Sequence, residues 1–296
     1  SLAMTGVRVL RLHAFFFAAA VFSLMGTPPS ALAEKAESNK GAEIMDRIHA
    51  AEKNRQKFFG NIRSSLAETD PDLVAMRDRL VYGEIMDRGT LDDRQRMLVS
   101  LVTLTAGQML DDIKPHTEAA LRVGVTPVEI KEALYQCAPY VGFPKTESAV
   151  RLVNDVFAEK GIALPVESQA TVTETSRFTD GMAVQKTIFG DAIDKMHASA
   201  PEPQKDILVS HLSAFCFGDI YTRKALDLKT RELLTFSIIS ALGGCEAQVK
   251  AHVQGNANVG NSKQHLIDAL AQMLQYIGFP RTLNALGCVN AVMRDS

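Results

Sequence analysis

An internal repeat constrains the fold of this chain more than any other feature of its sequence. A block that ends in Arg96 recurs with the same spacing as a block that ends in Arg231, and after one inserted residue His116 recurs as His252. The agreement extends to two paired segments, Tyr82-Gly83-Glu84-Ile85 with Phe217-Gly218-Asp219-Ile220 and Tyr140-Val141-Gly142-Phe143-Pro144 with Tyr276-Ile277-Gly278-Phe279-Pro280. So many matches in one order predict two copies of one structural module.

The 296 residues are enough for two modest domains. We place the first module at 41–160 and the second at 178–296. The segment between them, 161–177, is rich in Ser, Thr and Glu and carries a Pro, which is typical of an exposed linker.

The N-terminal segment 1–33 has the pattern of a signal peptide. Two arginines precede the apolar stretch Ala14–Met25, which is too short to span a bilayer, and Ser30–Ala33 supplies the small residues of a cleavage site. Ser1–Ala3 precede a methionine and are interpreted as cloning residues. We therefore expect a periplasmic or secreted protein that begins at Glu34, without stable membrane insertion after cleavage. The alternative is an uncleaved N-terminal anchor.

The periodicity within both modules predicts an all-α fold. Thr126-Pro127 followed by Glu129 has the N-cap, first-turn proline and third-residue glutamate of a capping box. Arg231 to Leu242 is apolar nearly all round, which indicates a buried helix, and Gly243-Gly244 then ends it.

Composition and cysteine spacing exclude two classes of function. The net charge is −2 and Trp is absent, which argues against nucleic-acid binding. The four cysteines form no Cys-x-x-Cys pair and no cluster with His, so we expect no metal site. Whether they form disulfides is left open. Cys137, Cys216 and Cys288 have no counterpart in the other module, so we interpret them as core residues.

The ordered motifs of the second module resemble those of the carboxymuconolactone decarboxylase family, which includes alkylhydroperoxidase (AhpD-like) proteins. They are Leu226-Asp227-x-Lys229-x-Arg231-Glu232, Gly244-Cys245-Glu246, His252 and the later Tyr-x-Gly-x-Pro. The resemblance implies helical modules that act on a small molecule without a cofactor. It also implies a homo-oligomer, here a trimer of two-module chains that forms a pseudo-hexamer.

The resemblance implies a catalytic role for Glu232, Cys245 and His252. In the peroxidase branch these positions hold the glutamate, the first of two cysteines and the histidine, but Gln248 stands at the second cysteine here. Dithiol chemistry is therefore disfavoured. Cys245 itself can be a reactive thiol or a small buried side chain. For Glu232, near the start of a helix, a capping role is the alternative.

The first module keeps only part of this set. Met97 stands in place of Glu232, and His116 is the remaining catalytic candidate. Asp112 lies one helical turn before His116, so its carboxylate would orient the imidazole and favour its charged form, or the two would form a solvated surface pair. Both interpretations stay open.

Arg96 and Arg231 are the candidate substrate-binding residues. A guanidinium binds a carboxylate through two parallel hydrogen bonds, but either arginine can equally serve an internal ion pair. The function that the sequence favours is carboxymuconolactone decarboxylase-like acid/base chemistry on a small carboxylate or lactone. The alternatives are a thiol peroxidase that uses Cys245 with Glu232 and His252, and a binding scaffold without catalysis.

Overall fold

A computed structural model describes residues 31–294, and all regular secondary structure in this range is helical, so the predicted all-α fold is confirmed. The predicted signal peptide lies outside the described residues except for its last three, which begin the first helix. The described residues fall into two compact units that divide after Met45, within that helix. The hydrophobic core belongs to the unit that starts at Asp46.

Eleven α-helices are described between residues 31 and 294. They are α1 (Ala31–Phe59), α2 (Pro71–Leu80), α3 (Asp93–Ala106), α4 (Ile113–Arg122), α5 (Pro127–Val141), α6 (Phe143–Glu159), α7 (Arg177–Phe189), α8 (Ala192–Ser199), α9 (Leu228–Leu242), α10 (Glu246–Asn258) and α11 (Lys263–Val292), the last kinked at Gly278. A π-helical turn, Val81–Ile85, follows α2, and a longer π-helical segment, Asp206–Tyr221, precedes α9.

The predicted helix boundaries follow from local chemistry. The Thr126 hydroxyl accepts a hydrogen bond from the Glu129 backbone N–H, and the Glu129 carboxylate accepts one from Thr126, which confirms the capping box at α5. The predicted break after α9 is also confirmed. Gly243 and Gly244 both have left-handed φ angles near +70°, which residues with a Cβ seldom adopt, and α10 begins directly after Cys245.

The two repeats share one hydrophobic core. Helices α3 and α9 occupy equivalent places in the two modules, pack against each other and are buried along most of their lengths. Helix α5 of the first module packs on α9 of the second, while α11 of the second packs on α3 of the first. Each module therefore supplies one helix to the centre of the other.

Within residues 31–294 no helix is both long enough and apolar enough to cross a membrane.

Candidate active site

The strongest candidate site is a buried pair of His252 and Glu232. Nδ1 of His252 lies 2.9 Å from Oε2 and 3.2 Å from Oε1 of Glu232, whose side chain is fully buried. Because a carboxylate accepts, Nδ1 carries the proton, and Nε2 is the nitrogen left for chemistry. No described protein group engages Nε2, and the His252 side chain is 11% exposed. The pair can therefore give or take a proton at Nε2.

The backbone around this pair is fixed by an asparagine. Nδ2 of Asn256 donates to the carbonyl oxygen of Glu232 at 3.0 Å and to that of His252 at 2.7 Å. Asp227, not Glu232, caps α9, because its carboxylate accepts from the Thr230 backbone N–H. The capping alternative for Glu232 is therefore wrong, and its carboxylate is free to face the imidazole.

Two tyrosines that were not predicted as site residues adjoin the carboxylate. The Tyr221 hydroxyl donates to Oε1 of Glu232 at 2.6 Å, and the Tyr140 hydroxyl lies 3.1 Å from that of Tyr221. Burial and the Glu232 charge hold the pKa of Tyr221 well above its ordinary value, so it remains a donor. Tyr140 comes from α5 of the first module and meets the His252 ring edge-on, with ring centroids 5.8 Å apart. The site thus draws on both modules.

An apolar wall encloses the other side of the pair. Phe189 of α7 meets the His252 ring edge-on at 5.2 Å and also contacts Phe217. Gly255 lies directly against Glu232, and a Cβ at this position would stand 2.6 Å from Oε2. The absence of a side chain at residue 255 therefore lets the carboxylate reach the imidazole.

Cys245 occupies a different environment from the pair. Its thiol donates to the Ile239 carbonyl oxygen at 3.1 Å, and no described contact joins it to Glu232 or His252. Burial, then the Glu246 charge, raises the pKa of the thiol, which opposes thiolate formation. The cavity beside it, about 10 Å³, has room for no more than one water molecule. The contacts described for Cys245 fit its alternative role as a small, partly buried side chain.

The other three cysteines are buried, and all four are free thiols. Cys216, interpreted from the sequence as a core residue, also borders the site, since its sulfur lies 3.6 Å from the Tyr140 hydroxyl oxygen. Burial raises the pKa of Cys216 to about 12.

Arg231 is bound on all sides by protein groups. Its three guanidinium nitrogens donate to acceptors in both modules, namely Glu132, Gln136 and the carbonyl oxygens of Arg223, Lys224 and Leu226. Arg96, its counterpart, donates to Gln272 and to the Arg88 carbonyl oxygen. Both side chains are buried, so of the two roles left open for each arginine the contacts favour internal pairing over substrate binding.

His116 of the first module differs from His252 in its partners. Nδ1 donates to the backbone carbonyl oxygen of Asp112 at 2.8 Å, and Nε2 accepts from the Tyr276 hydroxyl at 2.9 Å. Burial lowers the pKa of His116. Both interpretations left open for Asp112 and His116 are therefore wrong. The main-chain oxygen of Asp112 takes the place of its carboxylate and the imidazole is held neutral, and the buried ring forms no solvated surface pair.

The two modules nevertheless surround their histidines alike. Phe59 meets His116 at the same centroid distance, 5.2 Å, that separates Phe189 from His252. The repeat places Met97 where the second module has Glu232. Among the residues that the structure describes, no group of three or more His, Cys, Asp or Glu could hold a metal ion.

Comparison with known proteins identifies the family of this chain. The model of a family described as the carboxymuconolactone decarboxylase family matches twice, at residues 71–155 and 208–291, which confirms the resemblance stated from the motifs. The chain is 30% identical over 108 residues to 4-carboxymuconolactone decarboxylase of Acinetobacter baylyi, covering 36% of this chain and 81% of that protein.

Two further likenesses have lower coverage or identity. The chain is 32% identical over 84 residues to nitrosuccinic acid decarboxylase npaB of Metarhizium robertsii, covering 27% of this chain and 58% of that protein. A crystal structure from Burkholderia xenovorans, of a protein proposed to be a gamma-carboxymuconolactone decarboxylase subunit, superposes with a TM-score of 0.50 at 19% identity. It covers 79% of this chain and 93% of its own, and at that identity it shows the fold alone.

Proposed function

We propose that this chain, which belongs to the carboxymuconolactone decarboxylase family, is a cofactor-free decarboxylase-like enzyme that acts on a small carboxylate or lactone. His252 is the acid/base residue and Glu232 its partner. The observation that carries the proposal is the buried contact of 2.9 Å between them, which leaves Nε2 of His252 without a protein partner among the described residues.

The geometry supports proton transfer at one defined atom. Glu232 fixes the His252 tautomer with the proton on Nδ1 and stabilises the imidazolium when Nε2 is also protonated. In the proposed step the bond between the substrate carbon and its carboxylate breaks, CO₂ leaves, and the electron pair stays on the substrate as an enolate. Nε2–H then protonates the carbon, and the imidazole regains its proton from solvent. Phe189 and Tyr140 shield the ring from water during the transfer.

The names of two relatives support decarboxylation over the alternatives. One is called a 4-carboxymuconolactone decarboxylase and the other a nitrosuccinic acid decarboxylase. The peroxidase alternative has less support, since Cys245 has a raised pKa and no described contact with the acid/base pair.

Turnover of the two named compounds tests the proposal. CO₂ release is measured with 4-carboxymuconolactone and with nitrosuccinate, in wild type and in His252→Gln. We expect release from at least one compound and a loss on the order of a hundred- to ten-thousandfold in the variant. His116→Gln is the matched control, because it removes the equivalent imidazole of the first module, and it should retain turnover within a fewfold.

Two other outcomes would overturn the proposal. Binding of both compounds, detected as a raised unfolding temperature without CO₂ release, would indicate a scaffold without catalysis. Thiol-dependent consumption of peroxide that is lost in Cys245→Ser would indicate the peroxidase.

We further propose that the chain is exported and assembles into a trimer. The support is the n-region, apolar stretch and small residues of segment 1–33 for export, and family membership for assembly. N-terminal sequencing after expression in a bacterial host should give a chain that begins at Glu34, and light scattering should give three times the mass of one mature chain. An intact leader in the exported fraction, or a monomeric mass, would contradict these proposals.

A further inference from the structure

A continuous line of buried hydrogen bonds joins the first module to the acid/base pair of the second. Nη1 of Arg231 donates to Oε1 of Gln136 at 3.0 Å, and Nε2 of Gln136 donates to the Thr235 hydroxyl oxygen at 3.1 Å. The Thr235 hydroxyl lies 2.7 Å from that of Tyr221, which donates to Glu232 at 2.6 Å. Every one of these side chains is buried.

The two ends of this line fix the direction of every bond in it. A guanidinium only donates, so the amide oxygen of Gln136 must face Arg231 and its NH₂ must face Thr235. The Thr235 hydroxyl oxygen therefore accepts and its proton points to the Tyr221 oxygen. The Tyr221 proton in turn points to the carboxylate, which only accepts. Hydrogen bonds aligned head to tail in this way strengthen one another in a buried site.

We propose that Gln136 of the first module is a positioning residue for the His252–Glu232 pair, acting through Thr235 and Tyr221. This inference rests on the proposed acid/base role of the pair. By setting the direction of the line, Gln136 keeps the Tyr221 proton on Oε1 of Glu232. That hydrogen bond stabilises the carboxylate charge, so Glu232 holds the His252 proton less strongly than an unassisted carboxylate would. The first module thereby sets the proton affinity of the second module's imidazole.

The first module contains a matched control for this line. Nη1 of Arg96 donates to Oε1 of Gln272 at 3.1 Å, and Nε2 of Gln272 lies 3.1 Å from the Ser100 hydroxyl. The bonds to Gln272 thus copy those to Gln136. From Ser100 onward the two lines differ. Ser100 is hydrogen-bonded to Tyr276, whose hydroxyl contacts Nε2 of His116, and Met86 and Met97 stand where the second module has Tyr221 and Glu232. Changes at Gln272 therefore repeat the local chemistry without reaching a carboxylate.

The titratable groups around His252 are few and come from three elements. Glu232 from α9 and Tyr140 from α5 contact the imidazole directly. Tyr221 and Cys216, both from the π-helical segment, contact Glu232 and Tyr140 respectively. Helix α7 adds only the apolar Phe189. Burial raises the pKa of both tyrosines and of the thiol, so none of the three carries charge at neutral pH. Glu232 is thus the charged group in contact with the imidazole.

The substitution Gln136→Glu reverses the direction of the hydrogen bonds beyond residue 136 with a side chain of nearly the same shape. A carboxylate at residue 136 still accepts from Arg231, but it now also accepts from Thr235, so the threonine proton turns away from Tyr221. The Tyr221 hydroxyl is then drawn to donate to Thr235, and Glu232 loses a hydrogen-bond donor. The less satisfied carboxylate favours the imidazolium, so the pKa of His252 should rise.

The test is a pH titration of His252 by ¹⁵N NMR on the full chain labelled at histidine, with its signal assigned by its loss in His252→Asn. In Gln136→Glu the His252 midpoint should rise by roughly half a pH unit or more, a change of about threefold in proton affinity. In Gln272→Glu it should stay at the wild-type value. Equal midpoints in wild type and Gln136→Glu, or equal shifts in both variants, would overturn the proposal.

A second pair of variants separates the hydrogen bond from the added charge and serves if Gln136→Glu does not fold. Thr235→Val removes the hydroxyl in the middle of the line, and Ser100→Ala removes its counterpart. Thr235→Val should raise the His252 midpoint in the same direction and Ser100→Ala should not, whereas no difference between them would overturn the proposal. The titration of His252 needs no substrate, so a chain without decarboxylase activity can still show the effect of Gln136. The proposed function and the proposed role of Gln136 can therefore fail independently of each other.

Discussion

The most direct structural perturbation of the site is a single methyl group at Gly255. In Gly255→Ala the new Cβ would stand 2.6 Å from Oε2 of Glu232 and 3.0 Å from both Ile188 and Phe189. Ordinary contact with a Cβ begins near 3.4 Å, so the carboxylate oxygen has to retreat by about 0.8 Å. The same oxygen makes the 2.9 Å contact with His252, so the methyl group acts on the acid/base pair itself.

The expected change in the stability of Gly255→Ala is the difference between two opposing effects. Replacing a glycine inside a helix by alanine stabilises by roughly 0.5–1 kcal/mol when nothing obstructs the methyl group. Overpacking a filled site costs about 1–3 kcal/mol, and misplacing a catalytic group by 1 Å can cost on the order of a hundredfold in rate. We therefore expect Gly255→Ala to have a free energy of unfolding no higher than that of the wild type. Its turnover should fall by roughly ten- to a hundredfold.

Gly287 provides the control for this variant. It is a helical glycine of α11 with ordinary φ, and a Cβ there would meet no atom within 4 Å. In urea unfolding followed by circular dichroism, Gly287→Ala should be more stable than Gly255→Ala by about 1–3 kcal/mol. In a Glu232→Ala background, where the obstructing carboxylate is absent, adding Gly255→Ala should cost less stability than it does in the wild-type background. If Gly255→Ala were as stable as Gly287→Ala and kept full activity, the close fit of residue 255 against Glu232 would be wrong.

Three further predictions concern the buried polar groups. Arg231→Leu leaves the buried Glu132 without one of its cations and should lower the free energy of unfolding by roughly 3–5 kcal/mol, measured by urea titration; a loss below about 1 kcal/mol would contradict the ion-pair role. Because burial raises the pKa of Cys216 to about 12 and also raises that of Cys245, alkylation of the native protein at pH 7.5 should be far slower at both than in urea, and fast native labelling would contradict this. Burial lowers the pKa of His116 below its ordinary value of 6.5. As the pH falls through 6.5, the unfolded chain therefore binds a proton at this residue that the native chain does not bind. The free energy of unfolding should fall over this pH range, and it should fall less steeply in His116→Gln.

The repeat and its local signals were enough to predict the fold. The Thr126 capping box, the break at Gly243 and the all-helical periodicity each depend on residues close together in sequence, and the structure confirms all three. The pairing of Glu232 with His252 was also predictable, because both residues stand in the ordered motifs that carry the family resemblance.

The contacts that cross between modules could not be predicted in the same way. Sequence spacing gives no sign that α5 packs on α9, so the roles of Tyr140 and Gln136 at the second site stayed hidden. Tyr221 was missed because its counterpart in the repeat is Met86, which drew no attention to the position. An arginine that binds substrate and an arginine buried in an ion pair look the same in sequence. The sequence therefore does not decide between these two roles for Arg231.

The two modules differ in that Glu232 of the second has no carboxylate counterpart in the first, and Glu232→Met removes this difference. This variant gives the second module the side chain that the first module carries at Met97. The measurement is CO₂ release from whichever of the two named compounds the wild type turns over, with Met97→Leu as the control. We expect Glu232→Met to lose turnover by on the order of a hundred- to ten-thousandfold while Met97→Leu retains it. Full turnover in Glu232→Met would contradict the assignment of the acid/base pair to the second module.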